Sequence, residues 1–323
     1  MSRSAGAMTE GTAVIDGASP AAVLRANGKT FSLASRFLGS IHAARAARLY
    51  AFCRFVDDVA DASNDDAVAR SDLDRILRDL RHGWSSDGQI HDFLALCTET
   101  GLDPTHGMTL VTTVQRDLDQ VLLEDRRALV RYAYGVAGVV GLMMCAVLDV
   151  EDERALPFAI DLGIAMQLTN IARDVHEDAR MRRRYIPGDW LQDLAPEQIL
   201  AGDQQSLRLV QAATRQTLSL AEDYYRSAEF GMGYLPARAR LAIFLAGSLY
   251  RDIGRVIAAS NYKVWNGRAF VSTPRKAAIV VAGALAFVLQ PSLHLRHAPH
   301  CAELHRDLDA LPCTDMPATV SGV

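Results

Sequence analysis

Residues 50–61 read YAFCRFVDDVAD, and residues 167–187 read QLTNIARDVHEDARMRRRYIP. In the first stretch Tyr50, Arg54, Asp57, Asp58 and Asp61 recur at spacings of three and four, which puts them along one side of a helix. Leu49, Phe52, Phe55, Val56 and Val59 fill the remaining positions. The second stretch repeats the pattern: Gln167, Asn170, Asp174 and Asp178 form a stripe flanked by Arg173 and Glu177, with Leu168, Ile171, Ala172 and Val175 beside it. Both read as long helices that carry carboxylates on an otherwise apolar surface.

The rest of the chain follows the same period. No strictly alternating run marks a strand between about residues 21 and 290, and Gly and Pro cut the sequence into helix-sized pieces. The breakers are Gly83 to Gly88, Gly101 to Pro104, Pro157, Pro187-Gly188, Gly202-Asp203, Pro236 and Pro274. Segments 42–62, 66–82, 125–148, 157–180, 205–230 and 237–260 are each long enough to cross a domain. Long helices with short connections predict an all-α, single-domain bundle with antiparallel neighbours. The expected layout is a disordered leader over 1–20, the helical domain over 21–290, and an irregular, loosely packed tail over 291–323.

Carboxylates one turn apart repel by roughly 0.2–0.5 kcal/mol per pair, and burial adds a larger cost unless a positive partner arrives. A solvated acidic helix end would explain DDVAD alone. Two such stripes, each with an arginine in register, favour a shared site instead. Two facing helices offering carboxylates make an all-oxygen site of the kind that hard divalent cations such as Mg²⁺ select, with phosphates completing the shell.

Composition narrows the partners. The 323 residues are 50% hydrophobic and 22% charged, with a net charge of −4, which gives no support for nucleic-acid binding. Five scattered cysteines without a CxxC predict free thiols and a reducing compartment. The first twenty residues lack an apolar core of the signal-peptide kind. Two uncharged runs, Tyr132 to Leu148 and Ala277 to Leu289, are both short for a membrane span. The glycines at 135, 138 and 141 in the first suit close helix packing. The second, preceded by Arg275 and Lys276, suits contact with a membrane surface.

The two carboxylate stretches resemble the paired Asp-rich motifs of the squalene/phytoene synthase family. GKTFSLASRFL (28–38), YAYGVAGVVG (132–141) and SLYRDIGRVIAASNYKVWNGRAFV (248–271) resemble its N-terminal substrate segment, Gly-rich central helix and penultimate region. The likeness runs in order from about residue 25 to 276. It implies an all-α isoprenoid synthase with a central cavity that joins two prenyl diphosphates head to head. Carried over by position, Asp57 and Asp61, with Asp58 alongside, hold Mg²⁺ on one diphosphate, and Asn170, Asp174 and Asp178 form the second set. Mn²⁺ could substitute for Mg²⁺. Arg54, Arg173, Arg183 and Arg268 bind phosphate oxygens. Tyr50, Tyr185 and Tyr250 supply hydroxyls or ring faces, and Gln167 is a polar group in an apolar cavity. Thr30, Phe31 and Tyr132 belong to the substrate-binding set, and Gly138 and Val139 to a dry cavity wall.

The wording of the motifs is nearest to bacterial phytoene synthases. Small residues, Ser35 and Ala47, stand where relatives using C15 substrates carry bulky aromatics, which implies two C20 chains: geranylgeranyl diphosphate condensed to phytoene for carotenoid biosynthesis, without NADPH. A C15-using dehydrosqualene or squalene synthase is the alternative. A non-catalytic assembly protein of the same fold is a third reading, and the retained carboxylates count against it. The long hydrocarbon product implies a cytoplasmic protein held peripherally at the inner face of the membrane, with other enzymes of the carotenoid pathway as partners. Two positions depart from the family's pattern, Gly28 for serine and Arg182 for glycine. Arg182 and Arg184 are expected on a solvated turn. His294, His297, His300 and His305 are expected in the loose tail, and His91-Asp92 lacks the further histidines of a metal phosphohydrolase.

Overall fold

The computed structural model describes residues 20, 33, 35–61, 65–296 and 299–314; the leader, Gly28, Thr30, Phe31 and His297 lie outside them. Among the described residues the chain is helical, with one isolated bridge between Leu122 and Arg184 in place of any sheet. The helices are α1 (Ser40–Asp61), α2 (Asp66–His82), α3 (Gly88–Thr100), α4 (Pro104–Arg116), α5 (Arg126–Ala133) and α6 (Val139–Val147). They continue with α7 (Leu156–Arg180), α8 (Gly188–Leu191), α9 (Pro196–Ala201), α10 (Gln204–Phe230), α11 (Ala237–Ala259) and α12 (Thr273–Leu289).

Local chemistry sets these ends. Asp65, Asp87, Asp103, Asp125 and Asp203 each turn a side-chain oxygen onto the free N–H groups opening α2, α3, α4, α5 and α10. Gly83, Gly101 and Gly202 take the left-handed conformation that ends α2, α3 and α9.

The axis of the bundle is α7. Ile160, Ile164, Ala165, Leu168, Ile171, Ala172 and Val175 are all buried, so the helix packs into the core along much of its length. It packs against α10, α6 and α11. Its approach to α6 is as close as backbones allow. A Cβ at Gly141 would stand 2.2 Å from the Ala159 carbonyl oxygen, and one at Gly163 equally close to that of Ala137. The helix from Arg126 to Val147 and the segment Glu153–Arg180 are long and apolar enough to cross a membrane. Both, however, are more than half buried in the protein.

Between α5 and α6 a π-helical turn, Tyr134–Gly138, joins the two into one rod. The wider turn rotates α6 relative to α5. Gly138 consequently faces Tyr134 and Ile160, and Val139 is fully buried, so neither lines the cavity. The wall is made by Val136, Ala137, Val140 and Gly141 instead.

The C-terminal segment does not pack loosely. His300, His305 and Leu308 are buried. Tyr134 Oη donates to the Pro312 carbonyl at 2.8 Å, Tyr224 Oη donates to that of Leu304 at 2.9 Å, and Arg126 pairs with Asp307 at 3.1 Å. Prolines stop a regular helix here, but the 3₁₀ turns Pro291–His294 and Ala302–Leu308 still bury their apolar side chains.

Candidate active site

A cavity of about 340 Å³ runs between α1, α6, α7 and α11. Along α7 its wall passes from Asn170 and Gln167 through Met166, Gly163, Leu162 and Ala159 to Phe158, about 18 Å at 1.5 Å per residue. One end is polar, with Tyr50 and Asp57 from α1, Gln167 and Asn170 from α7, and Tyr250 from α11. The other is apolar, closed by Leu148, Ala155, Phe158, Met232 and Leu235. Ser35 lines it. Ala47 is buried but turned away, because the α1 face that lines the cavity is Ala46, Leu49, Tyr50, Cys53 and Asp57.

The polar end gathers the predicted carboxylates. Asp57 lines the polar end of the cavity and remains accessible there, although the protein atoms around it strip water from the carboxylate. That desolvation pushes its pKa up to about 7, against the pull of Arg54 and with the repulsion of Asp61. Burial likewise carries Asp178 up to about 7, with Asp174 adding and Arg183 opposing. Asp58 stands apart, since Arg54 holds it one turn along the helix at 2.5 Å.

Asp117, at the end of α4, completes the cluster, although its sequence context does not single it out. Tyr132 Oη donates to its Oδ2 at 2.7 Å and Tyr185 Oη at 3.1 Å, the two rings lying 4.7 Å apart. Burial still lifts Asp117 to about 6. Its only sequence signal is a DLDQ run that reads as an ordinary turn. Arg183 lies within electrostatic reach of Asp61, Asp117 and Asp178, and so stands between the two sets.

Arg173 donates to both oxygens of Asp174 at 2.7 and 2.5 Å. Arg268 reaches the same carboxylate at 3.0 and 3.1 Å, with Glu177 at 3.8 Å. Arg173 and Arg268, both expected to bind phosphate, are thus parked on the central carboxylate of the second motif. Tyr250 lies within their field. Arg184 is not on a solvated turn: it is buried, pointing at the Leu194 and Leu123 carbonyls and Asp193. Arg182 is exposed and holds a left-handed φ of 57°. Asp92 is occupied by Arg48 at 2.9 and 3.0 Å, which leaves His91-Asp92 a structural pair.

These donors fit a divalent cation. Asn170 Oδ1 is buried without a partner, and the raised Asp57 and Asp178 lack a sufficient positive neighbour. An all-oxygen set of this kind suits a hard metal ion and the phosphates it carries.

The sequence profile of squalene/phytoene synthase matches residues 24–275. A 15-cis-phytoene synthase of Enterobacter agglomerans is 34% identical over 287 residues, covering 85% of this chain and 97% of that one. A phytoene synthase of Pseudescherichia vulneris is 35% identical over 272 residues, covering 80% and 87%. Among solved structures, a dehydrosqualene synthase bound to a ligand superposes with a TM-score of 0.72 at 26% identity, covering 84% and 95%. A squalene synthase from Alicyclobacillus acidocaldarius shares the fold with a TM-score of 0.65 at 20% identity, covering 75% and 92%. With the profile spanning most of its length and these relatives matched nearly end to end, the chain belongs to the squalene/phytoene synthase family.

Proposed function

We propose that this protein is a 15-cis-phytoene synthase of carotenoid biosynthesis. It condenses two geranylgeranyl diphosphates head to head, through a cyclopropyl (prephytoene) diphosphate, to phytoene. The observation that carries this reading is one long apolar cavity whose polar end holds Asp57 of α1 and Asn170 of α7, with Arg183 within electrostatic reach of carboxylates from both motifs.

Divalent metal, for which we propose Mg²⁺ held by Asp57, Asp61, Asn170, Asp174 and Asp178, would neutralise charge growing on the departing diphosphate. Arg173, Arg183 and Arg268 bind and orient that diphosphate through charge-assisted hydrogen bonds. The alkene of the second substrate attacks the allylic cation to close the cyclopropane, with loss of a proton. A second ionisation, rearrangement and proton loss give the triene core. Asp117, with Tyr132 and Tyr185 on it, is placed to hold those hydroxyls toward the reacting end. Val136, Ala137, Val140, Met144, Leu162 and Met166 exclude water, so the cations meet no nucleophile other than the alkene.

Labelled geranylgeranyl and farnesyl diphosphates, offered with and without Mg²⁺ and without NADPH, test the reading by product mass. A metal-dependent C40 product lost in Asp57→Asn is expected. A C30 product would move the chain to the C15-using alternative, and no product from either would sink the enzymatic reading.

For delivery of the hydrocarbon we further propose peripheral attachment to the cytoplasmic face of the membrane, beside other enzymes of the pathway. Support comes from α12, whose outer face exposes Val281, Leu285, Val288 and Leu289 while Arg275 ties it to buried Asp252 on α11. Co-sedimentation with anionic lipid vesicles should be lost in Val281→Glu/Leu285→Glu. Unchanged sedimentation would refute the attachment.

A further inference from the structure

The apolar end of the cavity is closed by Phe158, and Phe158 is backed by the C-terminal segment. Three residues along α7, Asp161 is fully buried. His300 Nε2 lies 2.8 Å from its Oδ2 and His305 Nε2 lies 2.7 Å from its Oδ1. The second nitrogen of His305, Nδ1, lies 2.7 Å from the carbonyl oxygen of Thr314. Carboxylate and carbonyl oxygens accept, so satisfying all three contacts takes one proton on His300 and two on His305. The set is then an imidazolium and a neutral imidazole gripping one ionised carboxylate. Burial opposes the charge on Asp161, but the hydrogen bonds from His300 and His305 outweigh it and hold the carboxyl below its ordinary range. The spacings suit protons and not a shared metal ion. Ligands at about 2.0–2.1 Å from one tetrahedral zinc would stand roughly 3.3 Å apart.

This buried grip fixes the His300 ring edge-on to Phe158, with centroids 5.2 Å apart at 71°. Tyr234 stacks on Phe158 at 6.0 Å. Gly231 lies beneath it, where a Cβ would come within 2.3 Å of the Phe158 Cβ. Phe158 is therefore wedged on three sides and open on the fourth, toward the cavity.

We propose that the C-terminal segment, through the Asp161–His300–His305 set, is the rear support of Phe158 and thereby sets the depth of the cavity and the longest prenyl chain it admits. This rests on the reading of the cavity as the prenyl-chain site. The segment is then a specificity element and His300 a positioning residue. The mechanism uses neither.

The test compares kcat/KM for the C20 diphosphate with that for its C25 homologue, geranylfarnesyl diphosphate. The wild type should reject the longer chain by about a hundredfold or more, as a closed apolar pocket does. His300→Gln keeps an amide donor for Asp161 but removes the ring behind Phe158, and should narrow that ratio by about tenfold. Phe158→Leu, which shortens the wall itself, should do the same, and it keeps the test open if His300→Gln fails to fold. Melting temperatures close to wild type would show that the change is not general loosening. An unchanged C20-to-C25 ratio in Phe158→Leu, or in folded His300→Gln, overturns the proposal. So does stoichiometric metal in the purified protein that is lost in His305→Gln. A wild type inert with the C20 substrate would sink the functional reading and this inference together, whereas an active wild type with indifferent variants would sink this inference alone.

Discussion

Arg268, in the loop after α11, donates to both oxygens of Asp174 on α7, at 3.0 and 3.1 Å. Arg173 grips the same carboxylate. Asp174, proposed as a metal ligand, is thus occupied by the guanidinium groups proposed to bind phosphate, and this pairing is incompatible with both proposed roles. On the proposed function, entry of a metal diphosphate would exchange the partners: the arginine forks would turn to phosphate oxygens and Asp174 to the metal. Arg268, about half exposed, is the more accessible arm.

Replacing Arg268 with Gln should therefore have opposite effects on two ligands. Diphosphate loses a charged hydrogen-bond donor worth about 1.5–3 kcal/mol, so KM should rise roughly tenfold or more with a smaller change in kcat. Divalent metal binding without substrate should tighten, because Asp174 loses a competitor. Steady-state kinetics and calorimetric metal titration read the two effects. Weaker metal binding in the variant would refute the exchange.

Asp117 is expected to matter as much as the motif carboxylates. Asp117→Asn keeps the shape but replaces an ionised acceptor of two tyrosine hydroxyls with an amide. A loss of about a hundredfold in kcat/KM is expected, in the range seen when one preorganised polar group is removed from a reacting centre. Tyr185→Phe, which removes the longer of the two bonds, should cost less. Wild-type rates in a folded Asp117→Asn would remove this residue from the site.

The pH dependence of the metal-free protein follows from Asp57 and Asp178, both raised to about 7 mainly by burial. In the unfolded chain they ionise near pH 4. Between about pH 4 and 7 the folded protein holds more protons at these sites than the unfolded chain does, so their contribution to stability falls as pH rises. Below that window the contribution is fully present. Thermal melts from pH 5 to 8 should show the decline in metal-free protein, and added Mg²⁺ should offset it at the upper end. The decline should flatten in Asp57→Asn/Asp178→Asn. A metal-free profile rising through the same window would contradict the assignment.

Much of the fold is legible in the sequence because it rests on local rules. The 3.6-residue period and the capping Asp and Gly residues place α2, α7, α10 and α11 within a residue or two of the expected segments. The stripes of Asp57 and Asn170 meet in one cavity because each sits on a helix whose adjoining apolar residues pack into the core. The features that escape depend on contacts distant in sequence or on small changes of phase. The π turn moves Gly138 and Val139 off the wall, and no composition signal marks one extra residue in a turn. Asp117 gains its role from Tyr132 and Tyr185, which only the fold brings to it. The tail histidines look idle in the sequence because their partner, Asp161, lies more than a hundred residues away, inside an apolar helix.

Arg182 is expected to bear on stability alone. Its φ of 57° lies in the left-handed region, which costs a side chain with a Cβ roughly 1–2 kcal/mol. It is exposed, and no hydrogen bond from its side chain compensates among those described. Glycine adopts this conformation freely but loses more entropy on folding, about 0.5–1 kcal/mol. Arg182→Gly should therefore stabilise the protein by up to about 1 kcal/mol with unchanged kcat, read by denaturant unfolding. Destabilisation, or a raised KM, would show that this side chain serves the diphosphate after all.

Ser35 and Ala47, paired in the sequence as marks of a roomy pocket, separate in the structure. Ser35 lines the cavity, whereas Ala47 is buried on the adjoining face of α1. Ser35→Phe should therefore fill prenyl space and shift preference from the C20 toward the C15 diphosphate, with little loss of stability. Ala47→Trp should act differently. It overpacks a closed helix contact, at a cost of about 1–3 kcal/mol or more, and alters selectivity only through that distortion. Competition assays with both diphosphates, run beside thermal melts, distinguish the two. A stable Ala47→Trp protein that switches cleanly to C15 would mean that α1 turns this face to the substrate when the cavity is filled.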